Sequence, residues 1–114
     1  MKLKLGFISN SSSTAFMITN TSNVKKSLVD FVIENMQLLE QFKDEYDYHD
    51  DPSLTEVKLL ESAAAENYDF EPGEQKRCVF GDEDGTLIGK VYDYILRDGG
   101  VSKNFEWHFY EWLR

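Results

Sequence analysis

Phe105-Glu106-Trp107-His108-Phe109-Tyr110-Glu111-Trp112 alternates with period two: Phe105, Trp107 and Phe109 fall on one side, Glu106, His108 and Tyr110 on the other. Such alternation marks a strand with one buried face, and this one is expected to close a sheet. Upstream, Thr86 is placed to cap a helix over Leu87, Ile88, Val91, Tyr92, Ile95 and Leu96, ended by Gly99-Gly100. Residues 76–80 read as a short strand between the turn Glu71-Pro72-Gly73-Glu74 and an acidic loop at 81–85. Asp51-Pro52 reads as a helix start, with Asp as cap and Pro in the first turn, running through Leu54, Val57, Leu60 and Ala63-Ala64-Ala65 to about Tyr68. Before it, Ser22 is placed as the cap of one long helix whose apolar stripe is Val24, Leu28, Phe31, Val32, Leu39, Phe42 and Tyr46. Residues 2–8 and 15–19 read as two strands joined by a polar loop. The order β-β-α-α-β-α-β describes a single α+β domain over 1–114, a small, mostly antiparallel sheet with helices packed on one face.

The composition fits that architecture. The chain has 114 residues, 41% of them hydrophobic and 29% charged, with only two prolines, the balance of a chain that folds around its own core. Cys78 stands alone, so no disulfide can form within the chain, and a cysteine-based zinc site lacks its ligands. No apolar run approaches the ~20 residues that span a bilayer, and no basic start followed by a long apolar run marks a leader. The expected location is therefore cytoplasmic, in a host cell, or in a virion, with no membrane partner. The net charge of −9 is unevenly placed: residues 1–39 sum to +2, residues 40–71 to −9 and residues 72–114 to −2. An acidic surface of this kind argues against direct contact with nucleic acid and favours solubility or a basic protein partner.

The opening segment, Met1-Lys2 followed by Gly6-Phe7-Ile8-Ser9-Asn10-Ser11-Ser12-Ser13-Thr14-Ala15-Phe16, resembles the start of a group of short uncharacterised proteins from bacteriophages and bacteria. In that group a Gly-Phe-(Val/Ile)-Ser-Asn segment leads into a run of serines and then an aromatic residue. Here the run is three Ser, then Thr14-Ala15, and Phe16 supplies the closing aromatic. The resemblance covers about eleven residues and implies a phage or prophage setting; it carries no functional residue over.

Four stretches have residues that can do chemistry. Ser9, Asn10, Ser11, Ser12, Ser13 and Thr14 offer hydroxyls and consecutive N–H groups that can cradle an anion such as phosphate. They lack the glycines, lysine and following helix of a P-loop, and a loop whose hydroxyls satisfy its own backbone is the plainer account. The stretch Asp44-Glu45-Tyr46-Asp47-Tyr48-His49-Asp50-Asp51 lacks the glycine and closing glutamate of a calcium loop, so a solvated, frayed helix end is favoured over a metal site. Gly81-Asp82-Glu83-Asp84-Gly85-Thr86 reads as acidic residues complementing a helix N-terminus. Cys78 with His49 or His108 can in principle form a nucleophile–base pair, but Cys78 is expected inside a strand as an inert thiol and His108 as a packed strand residue.

The aromatic end is different, because Tyr and Trp are over-represented at binding hot spots and Tyr110 and Trp112 fall off the core-facing register; the plainer account is that Phe105, Trp107, Phe109, Tyr110 and Trp112 are all core. The reading is thus a non-enzyme without cofactor or metal, a small phage-type accessory protein acting through protein–protein contacts. Its interaction face is Asp44, Glu45, Asp47, Asp50, Asp51, Tyr110 and Trp112. The partner is a basic host factor or another phage or virion protein, a second copy included, with mimicry of DNA by the acidic third as one variant. The rival is a phosphate or nucleotide binder, or an enzyme, working through the loop at 9–14.

Overall fold

In the computed structural model, which describes residues 13–46, 52, 54–81 and 86–113, the chain is organised by β1 (Thr14–Asn20), a strand paired on both edges. β4 (Gln75–Phe80) runs antiparallel on one side and β6 (Phe105–Trp112) on the other. Beyond β6 lies the two-residue β5 (Gly100–Val101), giving the order β4-β1-β6-β5. A second, two-stranded sheet pairs β2 (Lys26–Ser27) with β3 (Asp69–Phe70). Four helices complete the described residues: α1 (Leu28–Glu34), α2 (Gln37–Tyr46), α3 (Glu56–Glu66) and α4 (Leu87–Ile95). The class is α+β, with the helices packed against the antiparallel sheet. No helix among the described residues is long and apolar enough to cross a membrane.

Alternation explains the strands. In β1, Phe16 and Ile18 enter the core, while Met17 and Thr19 are partly exposed on the opposite face. Phe105 and Trp107 of β6 and Cys78 and Phe80 of β4 bury on the helix side with them. Phe31 is the hub of the core, meeting Tyr92, Phe105 and Trp107 edge-on with centroids 5.6, 5.1 and 5.1 Å away. That edge-to-face arrangement is the one the ring quadrupole favours.

The expected single helix from Ser22 is two helices and an irregular segment. Ser27, not Ser22, is the cap: its hydroxyl accepts from the Asp30 N–H, and the Asp30 carboxylate accepts from the Ser27 N–H, a capping box. Ser22 instead donates to the Asn20 side chain in a turn, and Val24 is exposed. The helix breaks after Glu34 because the buried Asn35 side chain donates to the Phe31 carbonyl and to Ser102 Oγ, competing with the helical ladder. Likewise α3 starts late. Thr55 caps it, accepting from the Lys58 N–H, and Pro52 lies outside any helix. It ends at Asn67, whose left-handed φ of 57° closes the helix two residues short of Tyr68. The Thr86 cap of α4 and the Gly73 turn stand where the sequence puts them. The strand expected at 2–8, and with it Phe7, lies outside the described residues; Phe16 is fully buried.

Two polar clusters lock one end of the sheet, where β1 finishes. Buried Asn20 donates to the carbonyls of Val24, Phe70 and Glu71, while its backbone bonds Glu74 and Gly73, tying β1 to the turn before β4. Beside it, where Asn20 pairs with Phe105, the Glu34 carboxylate accepts from the Ser102 hydroxyl, the Asn104 N–H (2.7 Å) and the Asn104 side chain (2.7 Å), pinning the β5–β6 hairpin to α1. Burial pushes the Glu34 pKa up, but these three hydrogen bonds, with Lys26 adding a little, outweigh it and hold the carboxyl below its ordinary value. A depressed folded pKa gives stability that is present above the unfolded value and lost as pH falls through the folded one. Glu34→Gln is therefore expected to lower the melting temperature at neutral pH. The gap from wild type should narrow as pH falls below about 4.3, the ordinary glutamate value. A gap that stays constant from neutral pH into acid would show that the carboxylate charge is not what holds the hairpin.

Candidate interaction face

A bulge decides where the aromatic end of the chain points. Along β6 the pairing with β1 steps from Phe16↔Phe109 to Ala15↔Glu111, leaving Tyr110 as an extra residue. A single inserted residue reverses the alternation beyond it. Trp112 consequently returns to the helix side, where its ring meets Phe109 at 5.3 Å. The regular alternation drawn from the sequence had put Trp112 on the far face, beside Tyr110.

What receives Trp112 is Arg97, just past the end of α4. Its guanidinium lies 4.4 Å from the Trp112 ring and 4.6 Å from the Tyr94 ring, a cation between two aromatic faces. Arg97 is oriented from behind by Asp93, one helical turn earlier, through Nε to the Asp93 carbonyl (2.7 Å) and Nη2 to Oδ1 (3.3 Å). Asp93 is fully buried, and the buried Thr14 hydroxyl donates to the same Oδ1 at 2.6 Å. A carboxylate taken out of water requires such partners, so β1, α4 and β6 are tied at one point.

The stack also reaches α2. Tyr94 packs against Phe42 with centroids 6.5 Å apart, and Asp44 and Glu45, two and three residues on, are exposed at the end of that helix. Phe42, Tyr94, Arg97 and Trp112 thus form one chain of contacts from the acidic helix end to the exposed end of β6. Trp112 keeps 46% and Tyr110 52% of its surface in water, and Glu111 pairs with Arg77 at 3.1 Å across the open face of the sheet. Asp44 and Glu45 lie on the helix at one end of that chain of contacts and Trp112 at the other, with Tyr110 at the β6 bulge. Asp47, Asp50 and Asp51 lie outside the described residues. Lys43 sits in the last turn of α2 and pairs with Glu40 at 3.5 Å, so the helix end is not wholly acidic.

Of the proposed anion loop, Ser9, Asn10, Ser11 and Ser12 lie outside the described residues. Ser13 and Thr14 are buried, Thr14 as the first residue of β1 and Ser13 just before it: the Ser13 carbonyl accepts from the Leu113 N–H, and Ser13 packs so tightly on Gly81 that a Cβ there would clash with Ser13 Oγ. With the Asp93 carboxylate 2.6 Å from its hydroxyl, Thr14 stands in surroundings that repel a phosphate. Cys78 is buried, and burial pushes its thiol up to about 12, the state of an inert core thiol. His108 is exposed on the open face of the sheet, not packed among the aromatics as expected. Among the described residues no group of three or more His, Cys, Asp or Glu is placed to hold a metal ion.

Asp93 and Arg97 were not singled out by sequence, and Thr14 only as part of the anion loop, not as a partner of Asp93. The Asp93-to-Arg97 spacing of four was the available signal, since an acid and a base so placed share a helix face. Arg97→Met is expected to destabilise the fold by about 2 kcal/mol, between the values for exposed and buried pairs, and to change the emission of Trp112 measured in a Trp107→Phe background. Unchanged melting and emission would show that the stack neither supports Asp93 nor orients Trp112.

Comparison with protein-family models, with curated proteins and with solved structures finds no match to this chain.

Proposed function

We propose that the chain is a small phage-type accessory protein that works by binding a basic protein partner, in the cytoplasm of a host cell or in a virion, without catalysing a reaction. The observation that carries this reading is the Tyr94–Arg97–Trp112 stack. It holds a large aromatic ring half in water at fixed orientation, and it runs through Phe42 to the acidic end of α2. A part-exposed Trp held in a cation–π stack suits a cationic side chain from a partner, which can stack on the open part of the ring while the acidic end of α2 attracts the same partner. The uneven charge agrees with this, because the excess of −9 falls wholly within residues 40–71. The phage setting comes from the resemblance of residues 1–16 alone.

The partner is to be sought by affinity purification from expressing or infected cells with mass spectrometry, and the purified pair then followed by stopped-flow. Replacing Asp44, Glu45, Asp47, Asp50 and Asp51 with Asn or Gln is expected to slow association about tenfold at low salt and to flatten its salt dependence, while the melting temperature stays level or rises. Trp112→Ala is expected to speed dissociation. An association rate unchanged by neutralisation, from low to high salt, would remove the acidic residues from the interface.

A further inference from the structure

Arg97 has hydrogen-bonding capacity that the fold does not use. A guanidinium carries five N–H donors in a rigid fork. Asp93 takes the two along the inner edge, Nε donating to its carbonyl at 2.7 Å and Nη2 to Oδ1 at 3.3 Å. The Tyr94 and Trp112 rings lie against the same group at 4.6 and 4.4 Å. The other three N–H groups, on Nη1 and Nη2, meet no acceptor among the described residues, and no acid other than Asp93 pairs with the side chain. They are not sealed in: 31% of the side chain reaches water, and Nη1 is not among the buried polar atoms that lack a partner. The outer end of the fork is therefore open.

The donors say what fits there. Parallel N–H groups on Nη1 and Nη2 match the two oxygens of a carboxylate, which they can hold by two hydrogen bonds at once. Asp93 and the two rings already hold the guanidinium in place, so a ligand has little left to order. Asp93 also sets a limit on charge. It is fully buried and neutralises Arg97 from behind, so one negative charge suits the fork better than the nearly double charge of a phosphate group. We infer that the outer end of Arg97 binds a carboxylate of the partner, carried by a side chain or by the end of its chain. The inference rests on the reading of Trp112 and the acidic end of α2 as the binding face. It adds that the partner, though basic, presents an acid beside the cation that meets Trp112.

Charge alone makes the opposite prediction, since a chain of net charge −9 should reject an added acid. The test uses labelled oligolysine peptides, amidated at the C-terminus, that differ at one central residue: Ala, Asp or phosphoserine. A further peptide has the central Ala and a free C-terminal carboxylate. In fluorescence anisotropy at physiological salt, a peptide with a carboxylate is expected to bind about fivefold tighter than the amidated Ala peptide, despite its lower positive charge. A gain with Asp assigns a side-chain carboxylate, and a gain with the free chain end assigns a terminus. Arg97→Lys keeps a cation opposite Asp93 but has no fork; it should erase the gain while the amidated Ala peptide still binds, with circular dichroism confirming the fold. Equal or weaker binding of both carboxylate peptides would overturn the proposal, as would a gain that survives Arg97→Lys. Tightest binding of the phosphoserine peptide would overturn it too, because the ligand would then be a phosphate. If no peptide binds, the acidic and aromatic face falls, and this proposal with it.

Discussion

A carboxylate with no access to water governs how the sheet and helices meet. Asp93 sits on the buried side of α4, where an ion without partners is costly by several kcal/mol. Its partners come from two directions, the Thr14 hydroxyl on β1 and the Arg97 guanidinium one turn along the helix. Satisfying it fixes α4 against the end of the central strand. It also sets Arg97 in the place where the bulged end of β6 delivers Trp112. The half-exposed ring is thus a consequence of a core requirement.

That dependence links stability to the surface. Tyr94 and Trp112 hold Arg97 between their faces, so the cation that neutralises Asp93 also orients the residue best suited to a partner. The same stack leans on Phe42, a core residue in the middle of α2, and so places the exposed Asp44 and Glu45 on a supported helix. Preorganisation of this kind spares a complex the ordering of its anchor side chains, a cost of about 0.5–1.5 kcal/mol for each.

Much of the fold was legible because periodicity carries it. Alternation in 15–19, 76–80 and 105–109 gave three strands of the four-stranded sheet, and the Leu87-to-Leu96 stripe gave α4 with its Thr86 cap. The break at Asn35 was hidden because Phe31, Val32, Leu39 and Phe42 keep helical spacing across a turn; the Ser27-to-Asp30 capping box was the local clue to the true start. Strands β2, β3 and β5 are two residues long and have no period to read. The bulge at Tyr110 depends on the register of β1 against β6, a tertiary fact, and so the orientation of Trp112 could not be read. For the same reason its partner, Arg97, could not be named from the sequence.

The central claim is that Trp112 and the acidic end of α2 act as one face toward cations. The most direct measurement is a ¹⁵N–¹H spectrum of the labelled chain titrated with an oligolysine peptide. The account predicts that the Trp112 indole N–H and the Asp44 and Glu45 amides shift together, along one saturating curve, with Arg97→Met uncoupling the indole from the amides. Shifts spread evenly over all exposed carboxylates, with the Trp112 indole unmoved, would contradict it.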